Sequence, residues 1–159
     1  MEENTIIGID NGVTGSIGII SESGYVFIPT PTKKERNYTK KKAYITRIDV
    51  VKLESLLKDY SGMVVIERPM VNPGRFKSTM SAIRALEATI TVLERLGLPY
   101  EYIDSKEWQK SILPGTSGEQ LKEESKWLGC KLFPNFKDQI TKHGDADSLL
   151  IAQYKYENN

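Results

Sequence analysis

Three short apolar segments near the N-terminus are separated by residues that favour turns. They cover residues 5–10, 16–20 and 25–28, with an Asn-Gly pair before the second segment and a Ser-Gly pair before the third. An Asn-Gly pair between apolar segments is typical of a hairpin turn. The pattern therefore predicts an antiparallel meander of three strands.

The chain that follows carries helical and strand-like patterns in turn. Apolar residues at helical spacing predict an amphipathic helix over residues 49–60, with Asp49 as its N-cap, and another over 80–96 that ends at Gly97. Continuous or β-rich apolar runs predict two further strands, at residues 63–67 and 99–103.

Segments rich in turn-forming residues separate these elements. Proline and basic residues between positions 29 and 42 predict a loop, as do proline and glycine between 69 and 77. Asp104 and Thr116 each precede a glutamate by three residues, a pairing that predicts a capped helix start at each place. A last helix is predicted at residues 146–156.

The order of these elements predicts the fold class. Three meander strands followed by alternating helices and strands indicate an α/β protein with a mixed central sheet covered by helices. We expect five strands, of which three form the antiparallel meander and two are parallel. The 159 residues are enough for one domain with a substantial core, so we expect a single domain over 1–159.

Composition narrows the class of protein further. With 39% apolar and 27% charged residues and no apolar run of about 20 residues, the chain is typical of a soluble cytoplasmic protein rather than a membrane protein. The single cysteine excludes internal disulfides and thiolate metal clusters, and the single histidine means that a metal site must use carboxylates. No Gly-rich dinucleotide motif or nucleophile elbow is present, so we expect no organic cofactor.

Acidic residues follow two of the predicted strands and precede the last helix. Asp10 and Glu67 each end an apolar strand, and Asp145 and Asp147 lie beside the helix start. Carboxylates from separate elements suit Mg²⁺, which prefers oxygen ligands. Two such ions about 3.5–4 Å apart activate a water and stabilise the leaving oxygen of a phosphodiester. The alternative is that each acid is an ordinary cap or turn residue.

Three sequence motifs resemble one family. Gly8-Ile9-Asp10-Asn11-Gly12, Val65-Ile66-Glu67-Arg68-Pro69 and Ala146-Asp147-Ser148-Leu149-Leu150-Ile151-Ala152 are similar to the acidic motifs of the RuvC-type Holliday junction resolvases, and closest to the compact forms of bacteriophages. Leu132-Phe133-Pro134 and the segment around Trp108 also resemble these phage proteins. The resemblance extends over nearly the whole chain.

The resemblance implies a ribonuclease H-like fold, a homodimer, and Mg²⁺-dependent endonuclease activity that cuts four-way DNA junctions by paired symmetric nicks. Two ions per site are implied, with Mn²⁺ as a substitute metal. A phage-encoded protein would act in the cytoplasm of a bacterial host. Asp10, Glu67 and Asp147 are then metal ligands and catalytic residues.

The fourth catalytic position departs from the family pattern. Relatives have Asp or His three or four residues before the final acid, where this chain has Gly144 and His143. We expect His143 to be the fourth metal ligand or a proton carrier. Asp145 is the substitute if it lies in an irregular turn before a helix that begins late. The alternative for His143 is a solvated residue ahead of the helix.

Basic residues predict contacts with the DNA backbone. The stretch from Lys33 to Arg47 carries seven basic residues and one acid, so the overall charge of +1 conceals a local charge of +6. A solvated loop is the alternative. Relatives also have lysines near the scissile phosphate. The candidates for DNA contact in these two groups are Lys33, Lys34, Arg36, Lys40, Lys41, Lys42, Lys106, Lys110 and Lys122.

The loop after Glu67 is a second candidate DNA contact. Relatives place an apolar or aromatic residue here, near the junction centre, and Met70 or Phe76 could stack on bases with Arg75 and Lys77 beside them. The alternative is that Phe76 packs the start of the next helix onto the core.

Two other functions remain open. The turn after Asp10 also resembles a phosphate loop of actin-like nucleotide-binding proteins, although those proteins need a second domain. A catalytically idle module that binds branched DNA is the other alternative, and the intact set of acids argues against it.

Overall fold

The computed structural model describes residues 4–159. The strands are β1 (Ile6–Asp10), β2 (Ser16–Ser21), β3 (Gly24–Pro29), β4 (Thr32–Arg36), β5 (Tyr44–Ile48), β6 (Met63–Glu67) and β7 (Tyr100–Ile103). The helices are α1 (Val50–Leu57), α2 (Phe76–Leu96), α3 (Ser105–Ile112), α4 (Gln120–Leu132), α5 (Lys137–His143) and α6 (Asp147–Glu157), with a short 3₁₀ turn at Pro134–Phe136.

A five-stranded mixed sheet forms the centre of the protein, in the order β3-β2-β1-β6-β7. β1, β2 and β3 pair antiparallel, whereas β6 pairs parallel with both β1 and β7. Helix-containing crossovers link the parallel strands, as parallel pairing requires. The predicted fold class and the predicted split of three meander strands and two parallel strands are confirmed.

Helices cover both faces of this sheet. Because side chains alternate along a strand, Ile7 and Ile9 of β1 pack with α1 and α2, whereas Ile6 faces the opposite side with α6. The core on the second side also includes fully buried Trp108 of α3 and the apolar residues of α6. No helix among residues 4–159 has both the length and the apolar character needed to cross a membrane.

A pair of glycines lets α6 lie directly on the sheet. Gly8 of β1 and Gly18 of β2 are opposite each other. A Cβ on Gly8 would overlap the carbonyl oxygen of Ser148 and come within 2.8 Å of the backbone nitrogen of Ala152, and one on Gly18 would lie 2.5 Å from the nitrogen of Leu149. The absence of these side chains therefore sets how closely α6 approaches β1.

The basic segment differs from its prediction. The loop expected over residues 29–42 contains strand β4, which forms an antiparallel hairpin with β5. All five residues of β4 are polar, and Lys34 and Arg36 are exposed, so this strand lacks the apolar alternation that identifies a half-buried strand. Glu35 forms ion pairs with Lys33, at 2.6 Å, and with Arg47 across the hairpin. These contacts help to order a segment that the prediction left irregular.

Helix starts were predicted better than their caps. Asp49 accepts a hydrogen bond from the backbone N–H of Lys52, at 3.1 Å, so the predicted cap of α1 is confirmed. Helix α3 begins directly after Asp104, as expected, whereas α4 begins at Gln120 and not directly after Thr116. Neither helix has a side-chain cap at its N-terminus. The Asp104 carboxylate pairs instead with Arg68, at 3.0 Å. Tertiary contact therefore replaced the local bond that the sequence pattern favoured.

Candidate metal centre

Asp10 and Glu67 lie at the same edge of the sheet. They end β1 and β6, which are adjacent and parallel, with Ile9 opposite Ile66. Gly8 faces α6, and Val65 belongs to the core on that side, so the residues two positions further along point to the same side. Both carboxylates therefore lie near the N-terminal end of α6.

The turn between α5 and α6 adds two more carboxylates. α5 ends at His143 and is followed by Gly144, whose φ of +107° is a conformation that favours glycine, and α6 begins at Asp147. Asp145 accepts a hydrogen bond from the backbone N–H of Asp147, at 3.1 Å. One carboxylate oxygen from each of Asp10, Asp145 and Asp147 lies within 4.8 Å of the other two.

A buried serine on α4 holds this turn. The Ser125 hydroxyl donates a hydrogen bond to Asp147 Oδ1, at 2.5 Å, and accepts one from the backbone N–H of Ala146, at 3.0 Å. Gly129, one helical turn later, leaves space for Ala146. The sequence analysis missed this contact, although two small residues four positions apart on the apolar side of α4 were a readable signal for close packing.

Glu67 is positioned from α3. The indole N–H of Trp108 donates a hydrogen bond to Glu67 Oε2, at 2.7 Å, and the Trp108 side chain is fully buried. Ser16 likewise donates a hydrogen bond to Ser148, at 2.7 Å, between β2 and α6. These two contacts, also missed by the sequence analysis, tie β2, α3 and α6 to the end of the sheet where the acids meet.

His143 lies beside the acidic cluster and outside it. Its Nε2 is 3.9 Å from Asp145 Oδ1, and this buried nitrogen has no hydrogen-bond partner among residues 4–159. The imidazole packs edge-on against Phe27, with ring centroids 5.6 Å apart. Because α5 ends before α6 begins, His143 and Asp147 do not share a helix face. Asp145 occupies the irregular turn that the sequence analysis gave as the condition for its role.

The carboxylates repel one another. Burial and the charges of Asp147, Glu67 and Asp145 raise the pKa of Asp10 well above its ordinary value. Burial and Asp145 raise the pKa of Asp147 to about 7, despite the opposing hydrogen bond from Ser125. Burial also raises the pKa of Glu67, against the effect of its bond to Trp108. These carboxylates therefore bind a proton or a cation more readily than they remain as uncompensated negative charges.

The other residues predicted to contact DNA lie at different places relative to this centre. The positive charge of exposed Lys122 partly opposes the rise in the pKa of both Asp10 and Asp147, so its ammonium group lies close enough to interact with both carboxylates. Lys106 and Lys110 line a different cavity, at the loop between α3 and α4. Met70 and Arg75 line a cavity of about 240 Å³ that also contains Glu67.

The hairpin and the start of α2 provide the remaining candidates. Lys34, Arg36, Lys40, Lys41 and Lys42 are exposed. Lys33 is paired with Glu35. The side chain of Phe76 is 70% exposed, which is against the alternative that it packs α2 onto the core.

The donor set fits a hard divalent cation. All the clustered donors are carboxylate oxygens, which Mg²⁺ and Mn²⁺ accept, and a bound cation would offset the repulsion that raises the pKa values. Asp10, Asp145 and Asp147 would hold it, with Glu67 at the same edge of the sheet.

Metal-free protein is expected to lose stability as the pH rises. The acids bind protons more tightly in the folded protein than in the unfolded chain, where their pKa values are about 4, so the free energy of unfolding falls between about pH 5 and 8. In EDTA we expect the free energy of unfolding to fall by about 2 kcal/mol between pH 5.5 and 8. The rise in the pKa of Asp147 to about 7 is by itself enough to cause this fall. Urea unfolding at the two pH values measures this fall.

Adding Mg²⁺ at pH 8 should restore the lost stability, and Asp10→Asn should reduce the pH dependence in EDTA, because it removes one of the acids whose pKa is raised. The exposed residue Asp59 provides the control, since Asp59→Asn should leave the dependence unchanged. A free energy of unfolding that rises over this pH range in EDTA would contradict the proposed repulsion.

Two solved structures of RuvC from Thermus thermophilus are similar to this chain. T. thermophilus RuvC in complex with Holliday junction substrate matches with a TM-score of 0.59 at 13% identity, over 98% of this chain and 94% of that one. The second RuvC structure matches with a TM-score of 0.51 at 14% identity, over 97% and 95%. No family model and no curated protein matches the sequence. The similarity shows that the chain has the ribonuclease H-like fold of these structures, as the sequence resemblance implied.

Proposed function

We propose that this protein is a metal-dependent, structure-selective endonuclease that resolves four-way and related branched DNA junctions. The observation that carries the proposal is the convergence of Asp10, Asp145 and Asp147 within 4.8 Å, at the end of a sheet whose fold is shared with RuvC. A likeness in fold alone would not suffice, because one fold serves many functions. The acids supply the site-level argument.

Asp10, Asp145, Asp147 and Glu67 are the residues proposed to hold Mg²⁺, with two ions per site and Mn²⁺ as a substitute. Asp145 takes the fourth position because its oxygen lies in the cluster, whereas the ligand role expected for His143 stays a prediction. His143 lies next to Asp145, with 3.9 Å between Nε2 and the carboxylate oxygen, and would help to position that carboxylate. When bound, the metal supplies Lewis-acid stabilisation of charge on the phosphate and activation of a water.

The chain itself prepares the site for hydrolysis, in which a water oxygen bonds to phosphorus and the bond to the leaving oxygen breaks. Ser125 and Trp108 hold the Asp147 and Glu67 carboxylates by hydrogen bonds, so these groups need not reorganise during the reaction. The exposed ammonium of Lys122 is near enough to act on Asp10 and Asp147, and it would contact the phosphate undergoing attack.

DNA arms are proposed to contact two surfaces around this site. Cationic residues of the β4–β5 hairpin bind phosphates, and Met70 with Arg75 lies beside Glu67 at the junction centre. Paired symmetric nicks require two active sites, so the working form is a homodimer in which each subunit cuts one of two opposed strands.

Incubation with a synthetic four-way junction tests the function. We expect Mg²⁺ to produce two symmetric nicks in opposed strands, and a linear duplex of the same sequence to remain uncut over the same time. Sequencing gels locate the nicks, and sedimentation of the protein gives its oligomeric state. Tight junction binding without cutting in Mg²⁺ or Mn²⁺ would instead identify a catalytically idle binding module.

A further inference from the structure

A groove of about 560 Å³ lies between the β4–β5 hairpin and the N-terminal half of α2. One wall is the outer part of the hairpin, and the other is the first turns of α2, which packs against β5. The turn at the hairpin tip is ordered by a hydrogen bond from the Asn37 N–H to the carbonyl of Ala43, at 2.7 Å. The groove therefore has two defined walls.

Three aromatic rings line this groove without being part of the core. Tyr38, Tyr44 and Phe76 are 92%, 72% and 70% exposed, and all three lie along the groove. Exposed aromatic residues gathered at one place indicate a binding surface, because water contact with their faces is unfavourable. Their flat rings suit stacking with planar partners such as nucleobases.

The charge of the groove is positive. Lys77 and Arg84 line it, and none of its lining residues in the described part of the chain is acidic. The exposed residues Lys40, Lys41 and Lys42 lie in the turn at the end of the hairpin. Two copies of this chain facing each other across the groove would bring these like charges together, so a polyanion is the better occupant.

The groove and the metal centre are linked through the turn after β1 and through the start of α2. Val13, three residues after Asp10, forms part of its lining. Opposite faces of the first turns of α2 line this groove and the cavity beside Glu67. The start of α2 therefore separates the groove from the cavity beside Glu67, and a strand that passes around this helix end would contact both.

We infer that this groove binds an unpaired DNA strand, with bases stacked on the aromatic rings and phosphates at the cations. Duplex DNA hides the faces of its bases, whereas a strand released at a branch point exposes them. The inference rests on the proposed function, since it assigns the unpaired strand to the branched substrate. It predicts preference for branched DNA that carries unpaired nucleotides.

Binding of a short single strand containing 2-aminopurine, measured in EDTA by fluorescence, tests the groove without any cutting. We expect the single strand to bind more tightly than a duplex of equal length. Tyr38→Leu combined with Tyr44→Leu should weaken single-strand binding by at least about tenfold, because the loss of one stack alone is worth roughly that factor. The double Tyr→Phe variant, which keeps both rings, should bind like the wild type.

Trp127→Leu provides the matched control, since Trp127 is 59% exposed on α4 and does not line the groove. Equal affinity for single strand and duplex, or equal weakening in the control, would overturn the inference. So would a change of oligomeric state in the Tyr→Leu protein, which would mark the groove as a contact between copies. If the wild-type protein binds the single strand as expected but does not cut junctions, the proposed nuclease activity is refuted and the inference about the groove is still supported.

Discussion

Asp10→Asn should lower the rate of junction cleavage by at least about 10³-fold, because it removes a charged ligand from the centre of the cluster. Asp10 lies at the end of β1, where its oxygen meets those of Asp145 and Asp147. The amide keeps the size of the side chain and one oxygen, but it lacks the negative charge that holds a divalent cation. Single-turnover cleavage of a labelled four-way junction measures the loss.

Junction affinity in EDTA should change by less than about threefold, because the proposed DNA-binding surfaces lie elsewhere. The same substitution should raise the stability of the metal-free protein at pH 8, since it relieves repulsion among buried acids. Loss of activity together with increased stability would separate a chemical effect from misfolding. Asp59→Asn is the control for an exposed acid outside the site.

Glu67→Gln and Asp147→Asn should reduce cleavage in the same direction. Cleavage by the Asp10 or Glu67 variant at the wild-type rate would rule out the proposed mechanism. Activity that depends on Asp145 and tolerates His143→Gln would favour the carboxylate as the fourth ligand, while the reverse result would restore the histidine to that position.

Gly8→Ala should destabilise the protein by about 3 kcal/mol, because a β-carbon there overlaps the backbone of α6. Neither side of the contact can yield easily, since Gly8 lies in the central strand β1 and its neighbours are backbone atoms of Ser148 and Ala152. Moving α6 outward would carry Asp147 away from Asp10. The free energy of urea unfolding and the cleavage rate should therefore fall together.

Gly97→Ala is the control that separates the steric clash at Gly8 from the backbone strain of an alanine at a positive φ angle. Gly97 ends α2 with φ of +67° and has open space where a Cβ would lie, so its substitution should cost about 1 kcal/mol and leave cleavage unchanged. A Gly8→Ala protein as stable and as active as the Gly97→Ala protein would show that α6 can shift without loss of the site.

The sequence analysis located the acids well because strand ends and helix starts are local features. Asp10 and Glu67 end runs of apolar residues that are typical of buried strands, and parallel strands bring their carboxyl ends to one edge. The hairpin at β4 and β5 was missed for the complementary reason, since a mostly polar strand has no apolar period to read. Its pairing with β5 is local in sequence, since Arg36 lies opposite Tyr44 and Thr32 opposite Ile48, but no apolar pattern in β4 marks it.

Sequence alone determined the mixed sheet, the order of its elements and the three acids that the motifs contain, because these follow from apolar periodicity and short local patterns. Only the tertiary structure decided which residue joins Asp10 and Asp147. The four-residue spacing from Asp147 favoured His143. In the structure, the turn at Gly144 after α5 and the hydrogen bond to Ser125 place the Asp145 carboxylate beside Asp10 and Asp147. The position where α5 ends and the buried hydrogen bond to Ser125 determine that the Asp145 carboxylate faces the site. Neither feature can be read from the local sequence.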